Sequence, residues 1–181
     1  VGRLGNTSDI NIGADLTISG PVSLYGGSLL LNANLATTNT TTGNVLLSGN
    51  TVIGNYNLAL APGSNLTVYQ TGNGVLSGVI SGANVSLTKY GSGTLSLSGA
   101  SSYSGGTLLN AGTIKLLGDG TSVLGPLGNA SVTVANSAGL DVNGHSIYND
   151  LNIAGTGIRG SGSLFNSSAS TATLFGATIL S

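Results

Sequence analysis

The sequence predicts an all-β fold, a parallel β-helix (solenoid) with roughly 19 residues per turn. Short apolar alternations such as Leu95-Ser96-Leu97 recur along the chain, between turns made of Gly, Ser, Asn and Thr. Apolar side chains two positions apart lie on one face of a strand, and Gly supplies the positive φ of sharp turns. Only 5% of the residues are charged, and 31 of the 181 are Gly. Strands and turns should therefore alternate, with no helix.

The spacing of the alternations gives the predicted repeat. One set of triplets recurs at intervals of roughly 19, 18 and 19 residues; its members begin at Leu95, Ile114, Val132 and Leu151. A second set falls between them and begins at Val85, Leu108, Val123 and Leu140. Each turn should therefore carry at least two strands. At the usual strand separation of about 4.8 Å, roughly nine turns would form a rod on the order of 45 Å long.

The other elements follow in chain order. The segment Val1 to Gly13 is polar and is expected to fray, whereas further triplets begin at Leu16, Val22 and Leu29. Polar or Gly- and Pro-containing runs predict loops or turns; they are Thr37 to Gly43, Ala61 to Asn65, Gly118 to Gly120 and Gly125 to Asn129. No composition shift marks a boundary, so residues 1–181 are predicted to be a single β-helix segment.

Composition also excludes several classes of protein. The hydrophobic fraction is 40% and is evenly spread, which argues against disorder. The net charge is −1 and the four basic residues are scattered, so no nucleic-acid partner is expected. The longest apolar runs, such as Leu29 to Leu31, are too short to span a bilayer as a helix. With so few charges, the exposed faces should consist of Asn, Ser, Thr and Gly.

One group of polar side chains could carry chemistry. Asp141, His145 and Asp150 lie close together in the sequence, with Asp119 before them. Glycan-cleaving enzymes need two carboxyl groups about 5 to 10 Å apart. Asp141, however, should point outward between two inward aliphatic residues, and the other three fall in or near turns. The sequence therefore favours a solvated surface, with no catalytic residue, no cofactor site and no metal site.

Six tyrosines could form a platform on which sugar rings stack. They are Tyr25, Tyr56, Tyr69, Tyr90, Tyr103 and Tyr148. Their spacing indicates no single face, so packing beside turns is the favoured role. Asn and Ser side chains in successive turns are expected to form hydrogen-bonded ladders.

A contiguous stretch resembles a known family. Its residues run Lys89-Tyr90-Gly91-Ser92-Gly93-Thr94-Leu95, Leu97-Ser98-Gly99-Ala100, Tyr103-Ser104-Gly105-Gly106-Thr107 and Asn110-Ala111-Gly112-Thr113-Ile114. This order resembles the passenger-associated strand repeat of bacterial autotransporter proteins, and the resemblance extends over residues 75–117. It implies a right-handed coil, in line with the general bias of parallel crossovers. It also implies a piece of a longer passenger, tethered through a C-terminal barrel that this chain does not include.

The resemblance and the composition together give the expected function. The chain should be a non-catalytic stalk or adhesin segment on the cell surface of a Gram-negative bacterium, outside the cell. Its Asn-, Ser- and Thr-rich faces should bind identical copies, host surfaces or glycans. Two alternatives stay open, an extracellular filament built by end-to-end stacking and a polysaccharide-cleaving β-helix enzyme.

Overall fold

The computed structural model describes residues 3–180, and nearly all regular structure in them is β-strand. One short 3-10 helix, Ile158–Gly160, is the exception. The strands are β1 (Ile10–Ile12), β2 (Leu16–Ile18), β3 (Val22–Tyr25), β4 (Ser28–Leu31), β5 (Leu35–Thr37), β6 (Val45–Gly49), β7 (Thr51–Gly54), β8 (Leu58–Ala59), β9 (Asn65–Gln70), β10 (Gly74–Leu76), β11 (Ile80–Ser81), β12 (Ser86–Tyr90), β13 (Thr94–Leu97), β14 (Thr107–Leu109), β15 (Gly112–Leu116), β16 (Val132–Val134), β17 (Ala138–Asp141), β18 (Leu151–Ile153), β19 (Leu164–Phe165) and β20 (Thr178–Leu180).

The strands form three parallel sheets that run along the axis of a coil. Sheet A has the order β1-β4-β7-β10-β13-β15-β17-β19, and sheet C has the order β3-β6-β9-β12-β14-β16-β18-β20. Sheet B is shorter, with the order β2-β5-β8-β11. Up to β12 the chain visits sheets A, B and C in turn, and from β13 onward its strands alternate between sheets A and C. This arrangement confirms the predicted parallel β-helix; its hand stays a prediction.

The turns are longer and fewer than the sequence predicts. The structure has about seven turns of about 21 residues, not nine of 19. Leu95 pairs with Ile114 at the predicted spacing of 19. Elsewhere Val45 pairs with Leu66 at a spacing of 21. Loops of different length join the strands, and the stacking tolerates them because long surface loops add little entropic cost.

One loop shifts the predicted triplets onto different faces. Ile114 pairs with Leu140 in sheet A. Val132, predicted to follow Ile114 on the same face, lies instead in sheet C and pairs with Leu151. Residues 117–131 form the wide loop between these elements, and Val123 within it is 62% exposed. The two predicted wide loops are therefore confirmed, whereas the prediction of a strand at Val123 is wrong.

The first turn is more regular than expected. Strand β1 lies inside the segment predicted to fray, yet Ile10 pairs with Leu29 of β4. Ile10 and Ile12 also pack against the core. Val1 and Gly2, the rest of that prediction, lie outside the described residues. The polar run predicted as a loop from Thr37 to Gly43 is a loop except for Thr37, which ends β5.

Inward-facing aliphatic side chains build one continuous core. Each turn contributes residues that stack directly on those of the next turn, which excludes water from the axis. On the inner face of sheet C one such column is Leu24, Leu47, Val68, Lys89, Leu109, Val134 and Ile153. All seven are at most 4% exposed, although one of them is a lysine.

Polar ladders join the turns at the surface, as predicted. Asp15 accepts hydrogen bonds from the backbone N–H of Asn34 at 2.9 Å and from its side-chain amide at 3.1 Å. Asn34 Oδ1 in turn accepts from the N–H of Asn57 at 3.0 Å, and Asn57 Oδ1 accepts from the N–H of Val79. These amides supply bonds where the turns lack strand pairing. The backbone N–H of Asn34 and its amide lower the pKa of Asp15.

Candidate functional site

The predicted polar group begins with an ion pair on the outer face of sheet A. Lys115 and Asp141 occupy paired positions, and Lys115 Nζ lies 3.6 Å from Asp141 Oδ2. Asp141 Oδ1 accepts from the backbone N–H groups of Asn143 and Ser167 at 3.0 Å each, and Oδ2 accepts from Ser167 Oγ at 2.6 Å. Asp141 therefore faces outward as predicted, but it is not solvated. Its side chain is only 4% exposed and anchors the segment after β19.

The other three residues do not join Asp141. His145 Nδ1 lies 3.4 Å from Asp119 Oδ1. The N–H of Ser146, at 2.8 Å, lowers the pKa of Asp119, and His145 lowers it further. Asp150 Oδ1 accepts from the N–H of Ala177 at 2.8 Å. Each carboxylate thus holds a different loop, which is a structural role.

The groove above Asp141 contains few groups that could do chemistry. It encloses about 410 Å³, and Asp141 is the single carboxylate among its described lining residues. A glycan-cleaving site needs a second carboxyl group within about 10 Å. Within residues 3–180 no cluster of three or more His, Cys, Asp or Glu side chains could hold a metal ion. The catalytic hypothesis therefore receives no support from this groove.

Lys89 is a buried charge that sequence reasoning missed. It is fully buried between Val68 and Leu109 on the inner face of sheet C. Its Nζ donates to the carbonyl oxygens of Tyr90 at 2.6 Å, Gly91 at 2.8 Å and Ala111 at 3.5 Å. Burial lowers the pKa of Lys89 to about 8. A signal was present in the sequence, because Lys89 alternates with the inward-facing Leu87.

The ammonium group of Lys89 binds backbone carbonyls at the corner between sheets C and A. Gly91 has a positive φ of 78°, and a Cβ there would clash with the carbonyl of Gln70 in the turn below. Gly112, one turn further on, repeats this conformation with a φ of 74°. The chain can turn this tightly only with glycine. Lys89 Nζ supplies hydrogen bonds to the carbonyl oxygens of Tyr90 and Gly91 at this turn.

Tyr103 is part of the core and not of any surface platform. It is fully buried, and its hydroxyl lies 2.6 Å from Thr107 Oγ1. Thr107 Oγ1 donates to the carbonyl of Leu127 at 3.1 Å, so Tyr103 must be the donor to Thr107. Burial raises the pKa of Tyr103 far above its ordinary value. This pair ties β14 to the loop before β16.

Three other tyrosines share one face, which the sequence interpretation did not expect. Tyr25 pairs with Ser48, Ser48 pairs with Tyr69, and Tyr69 pairs with Tyr90 along the outer face of sheet C. We call these four residues the tyrosine column. Tyr69 is 47% exposed and Tyr90 is 37% exposed. The prediction that the tyrosines follow no single face is therefore wrong for half of them.

A groove opens beside the tyrosine column at the corner between sheets C and A. We call it the corner groove; it encloses about 560 Å³. Tyr25 and Tyr69 line one wall, and polar side chains line the rest, including Asn6, Asp9, Asn50 and Thr71. Asn50 Oδ1 accepts from Thr71 Oγ1 at 3.1 Å, and Asn6 Nδ2 donates to the carbonyl of Tyr25 at 3.1 Å. The described lining residues include no cationic side chain.

A second outward column of sheet C contains no charge at all. We call it the threonine column; strand pairing aligns Ser23, Leu46, Thr67, Thr88, Leu108, Thr133 and Asn152. Leu108 in it is 37% exposed. With the tyrosine column it makes a face of hydroxyls, amides, aliphatic groups and aromatic rings.

Comparison with known proteins identifies the central turns. Residues 87–116 match the sequence model of the Passenger-associated-transport-repeat family. The match runs from β12 to β15 and includes Lys89, Gly91 and Gly112 at the corner between sheets C and A. No curated protein and no solved structure matches the chain. Within residues 3–180 no helix is long and apolar enough to cross a membrane.

The match and the fold agree with each other. The family repeat occupies about one and a half turns of a coil in which sheets A and C continue on both sides of it. A passenger repeat implies a secreted or surface location. Residues 87–116 thus match the passenger-associated-transport-repeat, and this match together with the β-solenoid fits the strand-repeat passenger of an autotransporter protein.

Proposed function

We propose that this chain is a non-catalytic stalk segment of an extracellular passenger, displayed on the surface of a Gram-negative bacterium, and that it binds identical copies through the outer face of sheet C. The observation that carries the proposal is the absence of charge along the described length of the threonine column. Identical rods carry identical charges at every position, so charged faces would repel one another. A face without charge avoids that penalty.

The outer face of sheet C also has side chains that can stabilise contact between copies, in addition to lacking charges that would repel. Threonine and leucine side chains present methyl groups that gain from burial, and hydroxyls that can bond across an interface. The strands of sheet C stay in register from β3 to β18, so the face is long and regular. Sheet A is less suited, because contact on its outer face would remove water from the Lys115–Asp141 ion pair, in which Lys115 is one third exposed.

Charge insertion tests the proposal. In the variant Thr67→Lys/Thr133→Lys, the two lysines stand three strands apart on the threonine column, about 14 Å. We expect the dissociation constant for self-association, measured by sedimentation velocity, to rise at least tenfold, by about 1.4 kcal/mol. High salt should restore part of the association, because it screens exposed charges.

The matched control places the same substitution on sheet A. Thr51→Lys/Thr94→Lys adds two lysines on the outer face of that sheet, at positions that are partly exposed, as Thr67 is. Its association should equal that of the unmodified chain. Equal loss in both variants would show a general charge effect and would reject the face of sheet C. A chain that stays monomeric at high concentration would reject self-association itself.

A further inference from the structure

The corner groove combines tyrosine rings with a polar cavity, and its described lining includes no residue of the threonine column. Tyr25 and Tyr69 stand two strands apart with the small Ser48 between them. At about 4.8 Å per strand, their side chains originate roughly 9.6 Å apart on a flat surface. Beside them is a cavity of about 560 Å³, within the size range of small-ligand sites. Aromatic rings beside a polar groove can bind a sugar. The apolar face of the sugar packs on the aromatic ring, and the sugar hydroxyls reach the polar side chains of the groove.

We propose that the corner groove binds a neutral oligosaccharide, with alternate sugar rings packed on Tyr25 and Tyr69. This inference goes beyond the self-association proposed above and does not depend on it. The two tyrosines are separated by a distance that suits sugar units one and three of an extended chain. Ser48 leaves room for the unit between them. Tyr90, one strand further along the tyrosine column, extends the same surface beyond the groove.

The rim has the hydrogen-bonding groups that sugar hydroxyls need. Asp9 accepts from the N–H of Ser28 through Oδ1 at 2.8 Å. Among the described residues its Oδ2 has no hydrogen-bond partner, so it is available to accept from a hydroxyl. Asn50 uses Oδ1 to accept from Thr71, which leaves its amide N–H₂ as a donor. An acceptor and a donor thus both lie in the lining of the corner groove.

The charge of the groove decides which class of glycan fits. Asp9 is a carboxylate, and the described lining contains no Lys, Arg or His. Sulfated or acidic sugars would meet a like charge there without a cation to offset it. Neutral sugars meet no such penalty. The chemistry therefore favours a neutral chain over an anionic one.

Binding of defined oligosaccharides tests the inference. The probes are hexasaccharides of β-1,4-linked glucose, β-1,4-linked N-acetylglucosamine and α-1,4-linked glucose, with a heparin hexasaccharide as the acidic comparison. Saturation-transfer NMR on the full chain detects weak binding, and titration gives the dissociation constant. We expect at least one neutral probe to bind. Tyr69→Ala should weaken that binding roughly three- to tenfold, whereas Tyr69→Phe should retain it.

The matched control is Tyr56→Ala. Tyr56 has the same 47% exposure as Tyr69, and it lies outside both the tyrosine column and the corner groove. Its variant should bind as the unmodified chain does. Equal weakening by both variants, tighter binding of heparin than of any neutral probe, or no binding of any neutral probe at millimolar concentration would overturn the inference. The variant Thr67→Lys/Thr133→Lys separates the two proposals, because it should lose self-association and still bind the oligosaccharide.

Discussion

Lys89 lies directly beside Val68 on the inner face of sheet C, so a lysine occupies a place that aliphatic residues fill in the other turns. Its Nζ reaches the carbonyls of Tyr90 and Gly91, at the corner where the chain passes from sheet C to sheet A. Burying an ammonium group is unfavourable unless its donors are all used. Here three carbonyl oxygens use them. The passenger repeat therefore includes a charge that belongs to the architecture of the corner.

The buried lysine makes the stability of the fold depend on pH. Its pKa of about 8 in the folded chain lies below the ordinary value of about 10.4. Between these two values the unfolded chain binds more protons than the folded one, so the free energy of unfolding should rise as pH increases from 8 to 10. The rise should be on the order of 2 to 3 kcal/mol. Urea denaturation at pH 7, 8, 9 and 10 measures it.

The variant Lys89→Met identifies the source of that rise. Methionine fills a similar volume and cannot titrate, so its unfolding free energy should not increase over the same range. Lys115→Met is the matched control, because Lys115 is on the outer face and one third exposed. That variant should keep the rise. If Lys89→Met kept it too, the ammonium group of Lys89 would not be its cause.

Glycine at the corner should be required for space as well as for conformation. Gly91→Ala places a Cβ against the carbonyl of Gln70 at a φ of 78°. We expect it to lower the free energy of unfolding by more than about 2 kcal/mol, because strain and clash act together. Gly63 has a nearly equal φ of 76°, and a Cβ there would have no neighbour within 4 Å. Gly63→Ala should therefore lose only about 1 kcal/mol. Equal losses in thermal or urea unfolding would contradict a role for the clash.

The sequence predicts the kind of fold better than it predicts which strands pair. The alternation around Leu95 and Ile114 correctly indicates neighbouring strands, because a short turn of 19 residues joins them. The same reasoning fails at Val132, where residues 117–131 lengthen the turn and shift the triplet from sheet A to sheet C. Stacking depends on which residues face the core, and loop length can change without altering that pattern.

The tyrosine column could not be predicted from the sequence, because it also depends on the variable length of the turns. Tyr25 and Tyr69 belong to one column because turns of 23 and 21 residues bring them into register through Ser48. The predicted repeat of roughly 19 residues would instead align Tyr25 with Asn44 and Gly63. For Asp141 the sequence predicts one property and not the other. Its outward direction follows from the alternation, but its burial depends on Ser167, which is 26 residues away in the sequence. The direction of a side chain follows from the residues next to it in the sequence, whereas its burial depends on residues in the next turn of the coil.

The hydroxyl of Tyr103 should stabilise the loop before β16. Tyr103→Phe removes its donor to Thr107 and leaves a buried oxygen without that bond, which should lower the free energy of unfolding by about 1 kcal/mol at neutral pH. The pKa of Tyr103 is raised in the folded chain, so the unmodified protein should also lose stability as pH climbs above about 10. The variant should lose less in that range. Tyr56→Phe, at an exposed position, should change neither quantity. A Tyr103→Phe variant as stable as the unmodified chain would contradict the hydrogen-bond assignment.

Two substitutions of Asp141 separate a structural role from a catalytic one. Asp141→Asn keeps an Oδ1 that accepts from Asn143 and Ser167, so it should lower the free energy of unfolding by only about 1 kcal/mol. Asp141→Ala leaves both N–H groups without that acceptor and should lower it by about 2 to 4 kcal/mol. Asp150→Ala, at an exposed carboxylate that accepts one N–H, should have a much smaller effect because water replaces it. The unmodified chain should release no reducing ends from a panel of polysaccharides. Release that disappears in the well-folded Asp141→Asn variant would instead make Asp141 part of a catalytic site.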